Sequence, residues 1–273
     1  MAAEVAVIIG SGSIGVAIGR TAGVGRKVVL ADYSEETMNA AAVQLRGEGY
    51  EVTTHAIDIS DHDAVAALAD TATSLGDVTR VVLAAGVSPV QATTERVLHV
   101  DLLGTAYVLE EFGRVIAPGG SGIVISSMAG HMGEGYPRDV EHALAYTATG
   151  ELLDLPFLAA DTVGDSGAAY TLAKRGNALR VQAAAVTWGG RGARINSLSP
   201  GIISTPLAQD EMSGPFAEGY RTMIRTSAAG RMGTPAEVAA TAAFLLGPEG
   251  AFITGSDLLM DGGVIAAMRA GQL

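Results

Sequence analysis

The sequence predicts a doubly wound α/β domain, a mostly parallel sheet with helices on both faces. Three observations carry this. Short apolar runs alternate with helix-length segments along most of the chain. The first run breaks into a glycine-rich turn. No linker or low-complexity stretch divides the 273 residues, so residues 1–273 read as one domain with one large core.

The elements follow in order. Residues 5–9 form an apolar run ending at Gly10, a strand, and residues 14–19 continue as a helix. Residues 27–31 are a second strand closed by Asp32. A helix opens near Ser34, where Glu35 and Glu36 suit the positive end of its dipole. Strands at 50–57, 79–83, 121–125, 193–198 and 256–260 alternate with helices at 61–75, 94–112, 168–186 and 235–246, the first begun by the acidic cap Asp61. Two segments interrupt the rhythm. Residues 128–167 hold glycines, prolines, acidic residues and an apolar patch; residues 204–233 are punctuated by Pro and Gly. Long irregular connections of this kind are read as lids or binding loops.

Composition excludes several functions. A net charge of −12 with no Lys/Arg cluster argues against nucleic acid as a partner. The absence of cysteine removes disulfides, thiolate nucleophiles and Cys-held metals. The histidines, at 55, 62, 99, 131 and 142, have no metal-ligand spacing, so no metal is expected. With no signal peptide and no bilayer-length apolar stretch evident, a cytoplasmic location without a membrane partner is the expectation.

Gly10-Ser11-Gly12-Ser13-Ile14-Gly15 is a GxGxxG between a strand and a helix. The first glycine permits the turn, the second a close approach of backbone to pyrophosphate, and the third close helix–strand packing. The helix N-terminus offers free N–H groups to the phosphate. Asp32 ends the second strand twenty residues after Gly12, where a carboxylate can accept hydrogen bonds from an adenosine ribose. Tyr33 and Ser34 follow rather than Arg or Lys, so a 2′-phosphate would meet a carboxylate alone. NAD(H) is therefore preferred to NADP(H). A plain helix cap is the competing role for Asp32, and the two are compatible.

Tyr170 and Lys174 lie four apart on one predicted helix face. A free tyrosine titrates near ~10, too high for acid–base work at neutral pH, and a neighbouring ammonium would lower it. A surface pair of no consequence is the other reading.

Together these features resemble the short-chain dehydrogenase/reductase family, nearly end to end. The resemblance includes Asp58-Ile59, Ala84-Ala85-Gly86 and Ile123-Val124-Ile125-Ser126-Ser127. It continues through Arg194–Gly201, Thr205-Pro206, Arg231–Pro235, Phe252–Ser256 and Asp261-Gly262-Gly263. It implies a Rossmann-type NAD(H)-dependent oxidoreductase interconverting a secondary alcohol and a ketone or other carbonyl. Tyr170 would be the general acid–base. Lys174 would bind the nicotinamide ribose and lower the Tyr170 pKa, and Ser127 would orient the substrate carbonyl. Gly10, Gly12, Ser13, Ile14 and Gly15 would form the phosphate turn, and Asp32 and Tyr33 the ribose end. Asp58 and Ile59 would contact adenine, and Ala84, Ala85 and Gly86 would underlie the adenosine half. Pro200, Gly201, Ile203 and Thr205 would hold the carboxamide. A homo-tetramer or homo-dimer is also implied, with helices 94–112 and 169–187 between subunits.

Departures qualify the resemblance. The glycine turn is one residue shorter than the family's common TGxxxGxG. The usual Asn on the helix after the fourth strand is Asp101, whose charge would oppose phenolate formation unless protonated or paired; an inert surface Asp is the alternative. The Ser127–Tyr170 separation exceeds the family's roughly dozen residues, so 128–167 reads as a substrate-side insertion. Leu152, Leu153, Leu155, Phe157 and Leu158 would line a cleft for a hydrophobic substrate, or pack on the body, or meet another subunit. Residues 204–233 read as a substrate loop. His131 either touches substrate or has no role, and Met128 and Met132 read as cleft or core packing. Gly164-Asp165-Ser166-Gly167 imitates a protease nucleophile loop by coincidence. The rival from another class is a dinucleotide sensor without turnover, against which Ser127, Tyr170 and Lys174 count.

Overall fold

Seven apolar runs become strands, and their alternation sorts side chains between two core layers. The computed structural model describes residues 2–213 and 217–273. Its strands are β1 (Glu4–Ile9), β2 (Lys27–Asp32), β3 (Glu51–Ala56), β4 (Asp77–Leu83), β5 (Ser121–Ile125), β6 (Arg194–Pro200) and β7 (Asp257–Met260). They form one sheet in the order β3-β2-β1-β4-β5-β6-β7, every neighbouring pair parallel. Val5, Val7 and Ile9 of β1 join Val81, Leu83 and Val124 in one layer. Ile8 joins Val28, Leu30, Val82 and Ile123 in the other.

The helices are α1 (Ser13–Ala22), α2 (Glu35–Gly47), α3 (His62–Leu75), α4 (Thr94–Val97), α5 (Thr105–Val115), α6 (Arg138–Tyr146), α7 (Ala160–Val163) and α8 (Ser166–Gly190). The C-terminal part adds α9 (Pro206–Glu211), α10 (Ala217–Thr226), α11 (Pro235–Leu246) and α12 (Val264–Arg269). Leu68, Phe112, Val181 and Trp188 of α3, α5 and α8 fill the first layer. Ile18, Leu45, Val238 and Leu245 of α1, α2 and α11 fill the second. The predicted fold class is the observed one. None of the helices among the described residues is long and apolar enough to cross a membrane.

The differences are local and have physical causes. The helix expected over 94–112 extends to Val115 and carries a π-helical segment, Leu98–Gly104, between α4 and α5. There the Thr105 hydroxyl bonds back to the Asp101 carbonyl at 2.8 Å, competing with the regular ladder, and the Asp101 side chain turns inward. Gly164–Gly167 is a helix start, since the Asp165 carboxylate accepts the Ala168 N–H and caps α8.

Residues 128–167 hold 3₁₀ turns at Met128–His131, Thr149–Asp154 and Pro156–Leu158 besides α6 and α7. Of the three readings of their apolar patch, packing on the body is the one the structure supports for Leu152 and Leu158. Leu152 and Leu158 are buried among Val97, Leu98, Leu102 and Leu172, with Leu153, Leu155 and Phe157 packed against that cluster. Body packing removes these side chains from water more completely than an open cleft wall would. Of the 204–233 segment, residues 214–216 lie outside the described residues.

Candidate active site

In an open parallel sheet the crevice lies at the carboxyl ends of the strands, where connections leave in opposite directions. Here that point falls between β1 and β4. Ala84 and Ala85 both donate their N–H to the Ile9 carbonyl, at 2.7 and 2.9 Å, drawing the two strand ends together. Gly10, at φ +101°, is obligatory: a Cβ there would lie 2.6 Å from the Ala84 carbonyl carbon. A Cβ at Gly15 would strike the Gly10 carbonyl, whereas one at Gly12 would meet open space. Ser13 opens α1 and Ile14 packs on the second core layer. The start of α1 carries neither a side-chain cap nor an acidic residue. Open space before uncapped N–H groups fits a bound pyrophosphate.

Asp32 does not cap α2; Ser34 does, accepting the Thr37 N–H. One Asp32 oxygen accepts both the Ser11 N–H (2.5 Å) and the Ser11 hydroxyl (2.7 Å), and the other accepts the Ser34 N–H at 2.9 Å. The glycine turn is thus fastened to the acidic residue. Tyr33 is 73% exposed, and the Arg96 guanidinium stands 5.6 Å from its ring centre. This corrects the expectation that no cation lies near. Arg96 reaches the spot from α4, distant in sequence. It donates to Asp58 at 2.9 Å and to the Ser60 hydroxyl at 3.0 Å. Burial alone would raise the Asp58 carboxyl, but the Ser60 and Arg96 hydrogen bonds hold it below the ordinary carboxylate value. Ile59 is buried in the core.

At the other end, α8 carries Tyr170 and Lys174 to the turn that begins at Ser127. The Lys174 ammonium lies 5.2 Å from the Tyr170 ring centre. It donates to Asp101 Oδ1 at 3.0 Å, and Asp101 Oδ2 accepts the Val87 N–H at 3.3 Å. Asp101 is therefore no surface residue: its side chain is 0% exposed and that of Lys174 5%. Burial pushes the Asp101 carboxyl above its ordinary value despite the facing ammonium. Burial by itself would lower Lys174, but Asp101, with Tyr170 behind it, holds the ammonium above the ordinary lysine range. Gly86 makes room for the pair, since a Cβ there would lie 2.5 Å from Asp101 Oδ1 and 3.3 Å from Lys174 Nζ.

The Ser127 hydroxyl accepts the Ala129 N–H at 3.1 Å, and the neighbouring Ser126 hydroxyl donates to the Lys174 carbonyl at 2.8 Å. Pro200 ends β6 and Gly201 follows it against Asp261, Ile203 is buried and bridges Gly233, and the Thr205 hydroxyl accepts the Ala208 N–H.

A model of the short chain dehydrogenase family matches residues 4–151, and one described as enoyl-(acyl carrier protein) reductase matches residues 138–265. The chain belongs to the short-chain dehydrogenase/reductase family. It is 43% identical to the short-chain dehydrogenase/reductase bsc3 of Alternaria brassicicola, covering 97% of both chains. It is 30% identical to the D-threitol dehydrogenase of Mycolicibacterium smegmatis, covering 95% of this chain and 92% of that one. Among solved structures, the 3-alpha-hydroxysteroid dehydrogenase from Pseudomonas sp. B-0831 complexed with NADH superposes with a TM-score of 0.78 at 27% identity, covering 98% of each chain.

As a member of this family the protein is an oxidoreductase that uses a nicotinamide dinucleotide. Sequence reasoning missed three features of its site. Arg96 and Ser11 gave no local signal, because their partners Asp58 and Asp32 are remote in sequence. The third is the rest of a methionine cluster: Met128 and Met132 read as cleft or core packing, but Met223 and Met268, which pack with Met132, Ile202 and Leu259 around buried Met128, Val264 and Ile265, gave no signal. No group of three or more His, Asp or Glu residues suited to a metal occurs among the described residues.

Proposed function

We propose that the protein is an NAD(H)-dependent dehydrogenase/reductase that interconverts an apolar secondary alcohol and its ketone, with Tyr170 as general acid–base. The observation that carries this is the placement of Lys174, buried beside the Tyr170 ring on one side and bonded to Asp101 on the other. A bound nicotinamide would supply or accept the hydride at the substrate carbon. In reduction the Tyr170 hydroxyl gives its proton to the substrate oxygen as that oxygen gains charge; in oxidation the phenolate takes it back. Lys174 favours the phenolate and presents its remaining N–H bonds to the nicotinamide ribose. Ser127 donates a hydrogen bond to the substrate oxygen and aims it at Tyr170.

The substrate reading is supported by the side chains beyond Ser127. Met132, Met223, Met268, Ile202 and Leu259, partly buried around Met128, are flexible and apolar and carry no hydrogen-bond donors for a polyol. This favours a bulky apolar skeleton, as the name of the hydroxysteroid dehydrogenase relative suggests, over the small polyol named for the threitol dehydrogenase. The test is NADH oxidation with apolar cyclic ketones set against small hydroxylated ketones. Faster turnover of hydroxylated ketones would overturn the substrate reading. NADH binding with no turnover on any ketone would favour a sensor.

Asp32 supports NAD(H) over NADP(H), since a 2′-phosphate there meets a carboxylate, and the nearby Arg96 guanidinium already donates to Asp58 and Ser60. Asp32→Ala is expected to raise the ratio of NADPH to NADH efficiency by at least about tenfold, the least that relief of a few kcal/mol of like-charge repulsion produces. Steady-state kinetics with both cofactors check it, and an unchanged ratio would remove Asp32 as the discriminating residue. We read the protein as a cytoplasmic homo-dimer or homo-tetramer, which light scattering of the purified protein tests for its assembly.

A further inference from the structure

We propose that His131, held by Asp257, is a positioning residue that fixes the Ser127 hydroxyl for the reaction; this rests on the reading of Ser127 as the group that orients the substrate oxygen. Ser127 is the extended residue at which the 3₁₀ turn Met128–His131 begins, and its hydroxyl accepts the first free N–H of that turn, from Ala129. The turn is fastened on two sides. Towards α8, Ser126 donates to the Lys174 carbonyl, and Gly130 lies so close that a Cβ would stand 2.8 Å from the Lys174 carbonyl carbon. Towards the sheet edge, His131 Nε2 lies 2.6 Å from Asp257 Oδ2.

Asp257 is built to receive this contact. It sits on β7, and on the intervening strand β6 the Ser197 hydroxyl donates to its Oδ1 at 2.6 Å, while Ser199 bonds both oxygens at 2.9 Å. Burial alone would raise this carboxyl, but the hydrogen bonds from His131, Ser197 and Ser199 hold it below the ordinary value. An ionised carboxylate only accepts, so Nε2 carries the hydrogen. The anchor therefore runs from the last strand across β6 to the end of the serine turn.

Four polar groups in a largely buried place are costly where packing alone would serve. Strands β1 and β2 use Val, Ile, Leu and Ala for that purpose. What hydrogen bonds add is direction. With one anchor on α8 and the other on β7, the turn cannot pivot, and the Ser127 hydroxyl keeps its aim relative to Tyr170 and Lys174 on α8.

A double-mutant cycle on the full chain tests this, using NADH and the best apolar ketone. His131→Leu is expected to lower kcat about 10- to 100-fold, the penalty of a misplaced catalytic group. The affinity for NADH, read by fluorescence titration, is expected to stay unchanged. His131→Gln, whose amide N–H can replace Nε2–H, is expected to restore most of the rate. In a Ser127→Ala background the same His131→Leu change is expected to cost less than about twofold, the scatter of independent sites. Asp257→Asn, which keeps the volume and weakens the acceptor, runs in parallel and is expected to behave as His131→Leu does. A wild-type kcat in both His131→Leu and Asp257→Asn would overturn the proposal, as would an equal loss with and without Ser127. Wild-type kcat in Ser127→Ala alone would instead overturn the reading of Ser127, and the proposal with it.

Discussion

Tyr170→Phe is expected to lower kcat in both directions by about 10²- to 10⁴-fold, the usual worth of a positioned acid–base. The ring stays against Lys174 and the apolar cluster on which it packs, so folding and NADH affinity are expected to hold. The loss then belongs to the chemical step, because the substituted residue has no proton to give to the substrate oxygen and no phenolate to receive one. Stopped-flow hydride transfer, with NADH binding measured alongside, checks this. A Phe variant within tenfold of wild type would place the proton with another group, and the assignment of Tyr170 would fall.

Lys174→Met is expected to be the most damaging substitution for stability. It leaves the Asp101 carboxylate buried without its partner, and breaking a buried pair on one side costs about 3–5 kcal/mol. In a chain of this size that lowers Tm by roughly 10 °C. The pH dependence has a definite sign. Burial already raises Asp101 in the folded protein above its ordinary value of 3.8. A group raised on folding contributes fully below its unfolded value and loses that contribution as pH rises through the folded one. Without the ammonium the folded value rises further, so the variant is expected to lose stability more steeply than wild type as pH rises above the ordinary carboxylate range. Lys174 is also raised, so in the wild type its contribution persists through neutrality and is lost only above the ordinary lysine range, near 10.5. Equal Tm–pH slopes for the two proteins would sink this account.

Asp101→Asn separates charge from packing. It keeps the shape and an acceptor for Lys174 while removing the negative charge. The ammonium then acts on Tyr170 without an opposing carboxylate. The acid limb of the alcohol-oxidation profile is expected to move down by about one pH unit, the effect of roughly 1.4 kcal/mol of relieved repulsion. An upward or absent displacement would show that the Asp101 charge does not reach the reacting oxygen.

The fold was legible because strand and helix periods are local signals, and here they agree with turn chemistry throughout. Asp61 and Thr234 cap their helices as such residues should. The four-residue spacing of Tyr170 and Lys174 announced that they would share a helix face, and the structure brings the ammonium to the Tyr170 ring; Ser127 was named only through the family resemblance. What escaped sequence reading was every contact made at long range. Asp101 could be read as a surface residue because nothing within its own helix shows that a π-helical turn will turn it inward toward Lys174. Arg96 and Tyr33 are separated by two helices and two strands, and His131 and Asp257 by nearly half the chain. The apolar patch at 152–158 shows the converse. Its composition announced burial, but composition does not state against what.

Parallel strands must each be reached by a crossover, so the order in which the chain is made is not the order in which the sheet closes. Strand β1 waits for β4, and β6 is an open edge until β7 arrives near the C-terminus. A nascent chain stopped short of Asp257 therefore presents an unpaired edge strand, the kind of surface that recruits other chains. In that chain the serine turn has only its α8 anchor. Addition of β7 thus covers the β6 edge and supplies the second anchor of the serine turn together.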